Sequence, residues 1–153
     1  MSCINRWTWV LAGALALAVQ APSQAAPGPK TPAEATVLGL LDTAFNQKKP
    51  DEAFATYVGP YYRQHNPTVA DGRDAILAAM HQWLPTVPDL HYEIVRVISS
   101  GDLVAVHSHV TTGPADRGMA VVDIFRLEKG RVVEHWDVGQ SVPASAANAN
   151  TMF

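Results

Sequence analysis

The chain is poor in cysteine and in charge. Cys3 is its only cysteine, and it lies in a segment expected to be removed. The mature chain then has none, which excludes disulfides, thiolate catalysis and cysteine-built metal sites. Charged residues make up 16%, and Lys and Arg do not cluster. Loss of Arg6 with that segment takes the basic residues from 11 to 10 against 14 acidic ones, a net charge of about −4. Phosphate binding needs grouped basic residues, so nucleic acid is not an expected partner. There is no internal repeat, and with 48% hydrophobic residues the composition is that of a single globular domain.

The first segment reads as an address. Residues 1–6 carry one positive charge, residues 7–19 are an unbroken apolar and small run, and Ser23-Gln24-Ala25 fits a small-x-small cleavage site. That is the grammar of a secretory signal peptide, and its apolar core is short for a membrane span. We expect a signal peptide over residues 1–25, a linker over 26–30 and one domain over 31–153. The mature protein is then secreted or periplasmic, with no membrane partner after cleavage.

Thr31, Pro32 and Glu34 form a helix start of the T-x-x-E type. Val37, Leu40, Leu41, Ala44 and Phe45 follow at three- and four-residue spacing. A second short helix is expected over 51–58. Residues 61–67 (Tyr-Tyr-Arg-Gln-His-Asn-Pro) read as irregular or extended chain, and a third helix over 72–84 is expected to bury Ile76, Leu77, Met80 and Trp83. From Leu90 the period becomes 2, with strands expected at 90–99, 103–112, 118–127 and 131–140. Helices followed by antiparallel strands define an α+β class.

Side chains alternate between the two faces of a strand. Asp123 shares a face with Val121, Phe125 and Leu127, among apolar neighbours. A carboxylate buried there must be satisfied by hydrogen bonds, take up a proton, or serve a function. His135 and Asp137 share a face with Val133 and Gly139, and a histidine beside a carboxylate suits acid/base work. The same pair could be a surface ion pair. His107 and His109 share a face with Leu103 and Ala105. With His135 they would suit a metal-dependent reading, but the reading adopted has no metal and no cofactor, with His107 an inward polar residue. Asn66 can donate and accept, which suits a substrate carbonyl, although Asn-Pro is also ordinary turn chemistry. His65 and Tyr62 in the same segment join Asn66 and His107 as candidate substrate-binding residues, beside catalytic candidates Asp137, His135 and Asp123.

Four segments carry a family resemblance: Tyr62-Arg63-Gln64-His65-Asn66-Pro67 with Gly72, Val122-Asp123-Ile124-Phe125-Arg126, Gly130 to Val138, and Asn150-Thr151-Met152-Phe153. From Thr31 to the C-terminus the chain resembles the SnoaL-like group of polyketide cyclases and aldol-condensation enzymes, within the NTF2-like superfamily. The resemblance implies a cone, with three N-terminal helices packed on a curved antiparallel sheet around a pocket. It also implies Asp137 as acid/base, with His135 and Asn66 at family positions. At the position of Asp123 the cyclases carry histidine. A carboxyl group there stabilises an enolate only when protonated.

Two functions are consistent with these residues. One is a cofactor-independent acid/base enzyme of the aldol, isomerase or cyclase type, acting on a small carbonyl compound. The other is a non-catalytic module that binds a small molecule or dimerises, with Trp136 and Ile124 suited to a homodimer interface.

Overall fold

Thr31 opens the first helix, α1 (Pro32–Leu41), by accepting a hydrogen bond from the Glu34 backbone N–H at 3.1 Å. Glu34 completes the cap differently from a standard capping box. Its carboxylate accepts from the Lys30 backbone N–H and from Ser99 Oγ, at 2.6 and 2.7 Å, which ties the helix start to a strand. These features belong to a computed structural model that describes residues 28–153; the signal segment expected at 1–25 and Cys3 lie outside the described residues.

Helix α1 runs on into a π-helical turn, Asp42–Asn46, sealed by Gln47 N–H on the Asp42 carbonyl at 2.9 Å. The extra residue in such a turn rephases the helix, and Leu40, Leu41, Ala44 and Phe45 all reach the interior. Helix α2 (Pro50–Tyr57) follows directly.

The segment at 61–67 is more regular than expected. Residues Val58–Gln64 form strand β1, which pairs in parallel with the last strand. Pro60 is compatible because β1 is an edge strand. Helix α3 (Arg73–Trp83) comes after β1, so the three helices do not precede all the strands. Strands β2 (His91–Ser100), β3 (Leu103–Thr111), β4 (Met119–Glu128) and β5 (Arg131–Ser141) make an antiparallel meander. The sheet order is β1-β5-β4-β3-β2. The expectation of a purely antiparallel sheet is therefore corrected to a five-stranded mixed sheet in an α+β fold.

Lys129 and Gly130 form the β4–β5 turn at φ 49° and 74°, the left-handed pair that a two-residue hairpin requires. Next to it lies a bulge. Leu127 pairs with Val132 but Arg126 pairs with Glu134, leaving Val133 as the extra residue. Val132, not Val133, consequently joins Leu127 in the interior cluster, a correction to simple alternation. Beyond the bulge the expected phase holds, and Phe125 faces His135 while Asp123 faces Asp137.

The core lies between the sheet and α1 and α2, built by Val37, Leu41, Phe54, Val104, Val106 and Val132. Each such side chain contributes about 1.5–3 kcal/mol on burial, so aliphatic packing takes the place of cross-links. In α3 only Met80 is fully buried. Ile76 and Leu77 are partly covered, and Trp83 is 41% exposed.

Candidate active site

A cavity of about 380 Å³ lies between the helices and the inner face of the sheet. Most of its wall is apolar. Leu40, Leu41 and Phe45 come from α1 and its π turn, Ile76 and Met80 from α3, and Phe125 from β4. Trp83 packs edge-on against Phe45, with ring centroids 6.4 Å apart, and stands at the rim. A polar group occupies one part of this wall: Tyr62, Gln64 and Asn66 from β1 and its exit, Tyr92 from β2, Asp123 from β4, and His135 and Asp137 from β5.

Asp123 and His135 are 4% and 8% exposed. His135 Nε2 is 3.0 Å from Asp123 Oδ1 and 4.0 Å from Asp137 Oδ2. The imidazole stacks on Phe125 at 4.7 Å and on Tyr62 at 6.4 Å, so its position is fixed by packing as well as by hydrogen bonds. Burial pushes the Asp123 carboxyl above its ordinary value, against the opposing pull of His135. Asp123 Oδ2 has no hydrogen-bond partner among the described residues. Burial also raises the phenols of Tyr62 and Tyr92, helped by the nearby carboxyl groups, and keeps both as neutral donors.

Asp137 is less enclosed, with a quarter of its side chain exposed. Asn66 Nδ2 donates to both of its oxygens, at 2.8 and 2.9 Å. The Asn66 carbonyl oxygen accepts from Thr68 N–H and Thr68 Oγ, so the asparagine is held at both ends. Asn66 lines the cavity, and its side-chain amide is engaged by Asp137.

Of the seven residues named from sequence, five meet here: Asp123, His135, Asp137, Asn66 and Tyr62. Two do not. His65 sits on the outer side, 2.8 Å from the buried carboxylate of Glu134 and stacked on Trp136 at 4.6 Å. His107 also lies on the outer face, because its register partner is Val122, whereas Val106 pairs with inward-facing Asp123. Its Nδ1 accepts from Arg96, and desolvation and that guanidinium lower its pKa. His109 shares this face and stacks on Phe153 at 4.1 Å, which places the C-terminal tail outside the cavity. A metal set of His107, His109 and His135 is therefore not assembled.

Asp123, His135 and Asp137 do offer ligand atoms within 4.8 Å of one another. An ion among them would have to displace the His135–Asp123 contact and compete with Asn66 for Asp137.

Gln64 and Tyr92 were not singled out from sequence. Both follow from strand alternation: Gln64 is two residues after Tyr62 in β1, and Tyr92 faces inward from β2 opposite Val110.

Residues 37–135 match the SnoaL-like domain family, and the chain belongs to that family. Solved structures share the fold. TsrD from Streptomyces laurentii is 28% identical with a TM-score of 0.55, over 69% of this chain and 88% of that one. A SnoaL-like protein from Burkholderia thailandensis is 18% identical with a TM-score of 0.61, over 75% and 100%. A protein from Kribbella flavida, provisionally assigned as a ketosteroid isomerase, is 17% identical with a TM-score of 0.59, over 76% and 84%. No curated protein matches the chain by sequence.

Proposed function

We propose that this SnoaL-like protein is a cofactor-independent acid/base enzyme acting on an uncharged, mainly apolar carbonyl compound. The observation that carries this reading is the placement of two carboxyl groups in different environments on one cavity wall. Asp123 is buried with one oxygen unpartnered among the described residues, and Asp137 is hydrogen-bonded through both oxygens and partly open. Environments that push two carboxyl groups apart assign the acid and the base.

Asp137, oriented by Asn66, takes a proton from the carbon next to the carbonyl. The released electron pair moves onto the carbonyl oxygen, and the Asp123 acid, redirecting its proton from His135, or the phenols of Tyr62 and Tyr92 donate to the developing enolate. Return of the proton to a different carbon gives isomerisation. Attack of the enolate carbon on a second carbonyl gives aldol closure. Among the described residues no lysine or arginine lines the cavity, which favours uncharged ligands over carboxylates and phosphates. Titration with an uncharged cyclic ketone and with the carboxylate of the same ring tests this. The ketone should bind at least about tenfold more tightly, since a buried carboxylate would find no cation, and Asp137→Asn should keep that binding. Equal affinity for the two would contradict the reading.

A second reading, a binding module that pairs through the sheet, is favoured by the outer face, where Ile98 and Val138 are 66% and 69% exposed. Recovery of a bound ketone with no exchanged hydrogen would support it. The homodimer belongs to both readings, and sedimentation of the full chain without residues 1–25 tests it. We also propose export by the N-terminal segment, supported by its sequence pattern. Among the described residues no helix is long and apolar enough to cross a membrane.

A further inference from the structure

Gln64 ends β1 and turns its side chain into the cavity beside Tyr62. Its Oε1 accepts the backbone N–H of Asn66 at 2.9 Å, a contact that only the oxygen of the amide can make. The same oxygen lies 3.1 Å from His135 Nδ1. An amide oxygen has no hydrogen to give, so Nδ1 carries one. In a neutral imidazole the other nitrogen is then an acceptor.

That nitrogen, Nε2, is 3.0 Å from Asp123 Oδ1, and a proton must lie between them. Either Asp123 holds it as a carboxylic acid, or His135 holds it as an imidazolium facing a carboxylate. The surroundings decide. Asp123 Oδ2 is buried with no partner among the described residues. On a carboxylate that atom would carry negative charge without solvation; on an acid it is an uncharged carbonyl oxygen, which is far less costly to leave alone. Asp137 from β5 adds negative charge 4.0 Å from Nε2, Tyr62 from β1 and Tyr92 from β2 face the pair as neutral phenols, and no described lysine or arginine lines the cavity. Asp137 also bears on the choice through its attraction for an imidazolium, but His135 offers that charge no hydrogen bond at 4.0 Å.

We propose that Gln64 is a positioning residue: by holding the hydrogen of His135 on Nδ1, it keeps Asp123 an uncharged acid, so the cavity presents one carboxylic acid and one carboxylate. This deepens the acid/base reading. It concerns the resting protein, however, and does not depend on turnover.

The test is spectroscopic and uses the full chain lacking only residues 1–25, at neutral pH. Nitrogen NMR of the labelled histidines, assigned with a His135→Asn variant, reads which ring nitrogens are protonated. Infrared difference spectra against Asp123→Asn read whether Asp123 has a carboxylic-acid carbonyl band. The wild type should show His135 protonated at Nδ1 alone and an acid band that Asp123→Asn removes. Gln64→Glu keeps an acceptor for both N–H groups but adds a charge that holds an imidazolium. It should protonate both nitrogens and abolish the acid band. Gln64→Leu removes the acceptor and should move the single ring hydrogen from Nδ1 to Nε2, which then donates to Asp123 Oδ1, while the Asp123 proton turns to Oδ2 and the acid band shifts. Two protonated nitrogens and no acid band in the wild type would overturn the proposal, as would a wild-type signature that persists in both variants. Absence of any carbonyl turnover would leave these spectra unchanged, so the two claims fail separately.

Discussion

Asn66 Nδ2 donates to both carboxylate oxygens of Asp137, while its own carbonyl oxygen is held by Thr68. A strand residue is thereby fixed by a loop residue 71 positions away in sequence. The pairing holds the Asp137 carboxylate rigid, where a side chain at the edge of a pocket would otherwise be mobile.

Replacing Asn66 with alanine should therefore lower kcat more than it raises KM. A hydrogen bond to a charged group is worth about 1.5–3 kcal/mol, roughly 10- to 150-fold in rate if it is needed in full. Steady-state kinetics on an active ketone check this. A rise in KM at constant kcat would instead place Asn66 among the groups that bind substrate.

The pH dependence of stability should carry the signature of Asp123. Burial raises this carboxyl above its ordinary value of 3.8, so the folded protein holds the proton more tightly than the unfolded chain. Its contribution is present below the unfolded value and is lost as pH rises through the raised one. Glu34, Asp116 and Glu134 are shifted down by their hydrogen bonds and act in the opposite sense, but they are common to wild type and variant. In Asp123→Asn the side-chain amide can still donate to His135 Nε2 and has no proton to lose. Urea unfolding across a pH series should show Asp123→Asn gaining on the wild type as pH rises from about 4 to 8. A constant difference would contradict the burial argument.

Gly118 marks the entry to β4. It sits at φ +77°, and a Cβ there would collide with the Val110 carbonyl oxygen, a backbone atom that cannot turn aside. Gly118→Ala should destabilise the fold by about 1–3 kcal/mol, read from denaturant unfolding, with the cavity residues unchanged. A neutral effect would mean that the β3–β4 connection relaxes freely.

Much of this arrangement was legible from alternation alone. Asp123 sits among Val121, Phe125 and Leu127 in the sequence, and that set does face inward; His135 and Asp137 keep the expected phase because the bulge at Val133 comes before them. Alternation does not by itself say which face is inner. In β3 the set Val104, Val106, Ser108 and Val110 is inward, and its greater apolar content was the available signal that His107 faces out. β1 was hidden by Pro60 and by the turn residues after Gln64, because an edge strand pairing in parallel with the last strand of the chain leaves no hairpin signal. With β1 went the roles of Gln64 and the outward position of His65. The contact between Asn66 and Asp137 depends on that same pairing and has no local trace.

The most direct test of the central claim is solvent-deuterium exchange into the α-carbons of uncharged cyclic ketones, followed by NMR, for the wild type and Asp137→Asn. Accelerated exchange is expected for the wild type and a loss of about 10²- to 10⁴-fold in the variant, the usual effect of removing a general base, with binding and fold retained. Exchange that is equally fast in Asp137→Asn would contradict the claim, because the proton would then leave to a group other than Asp137.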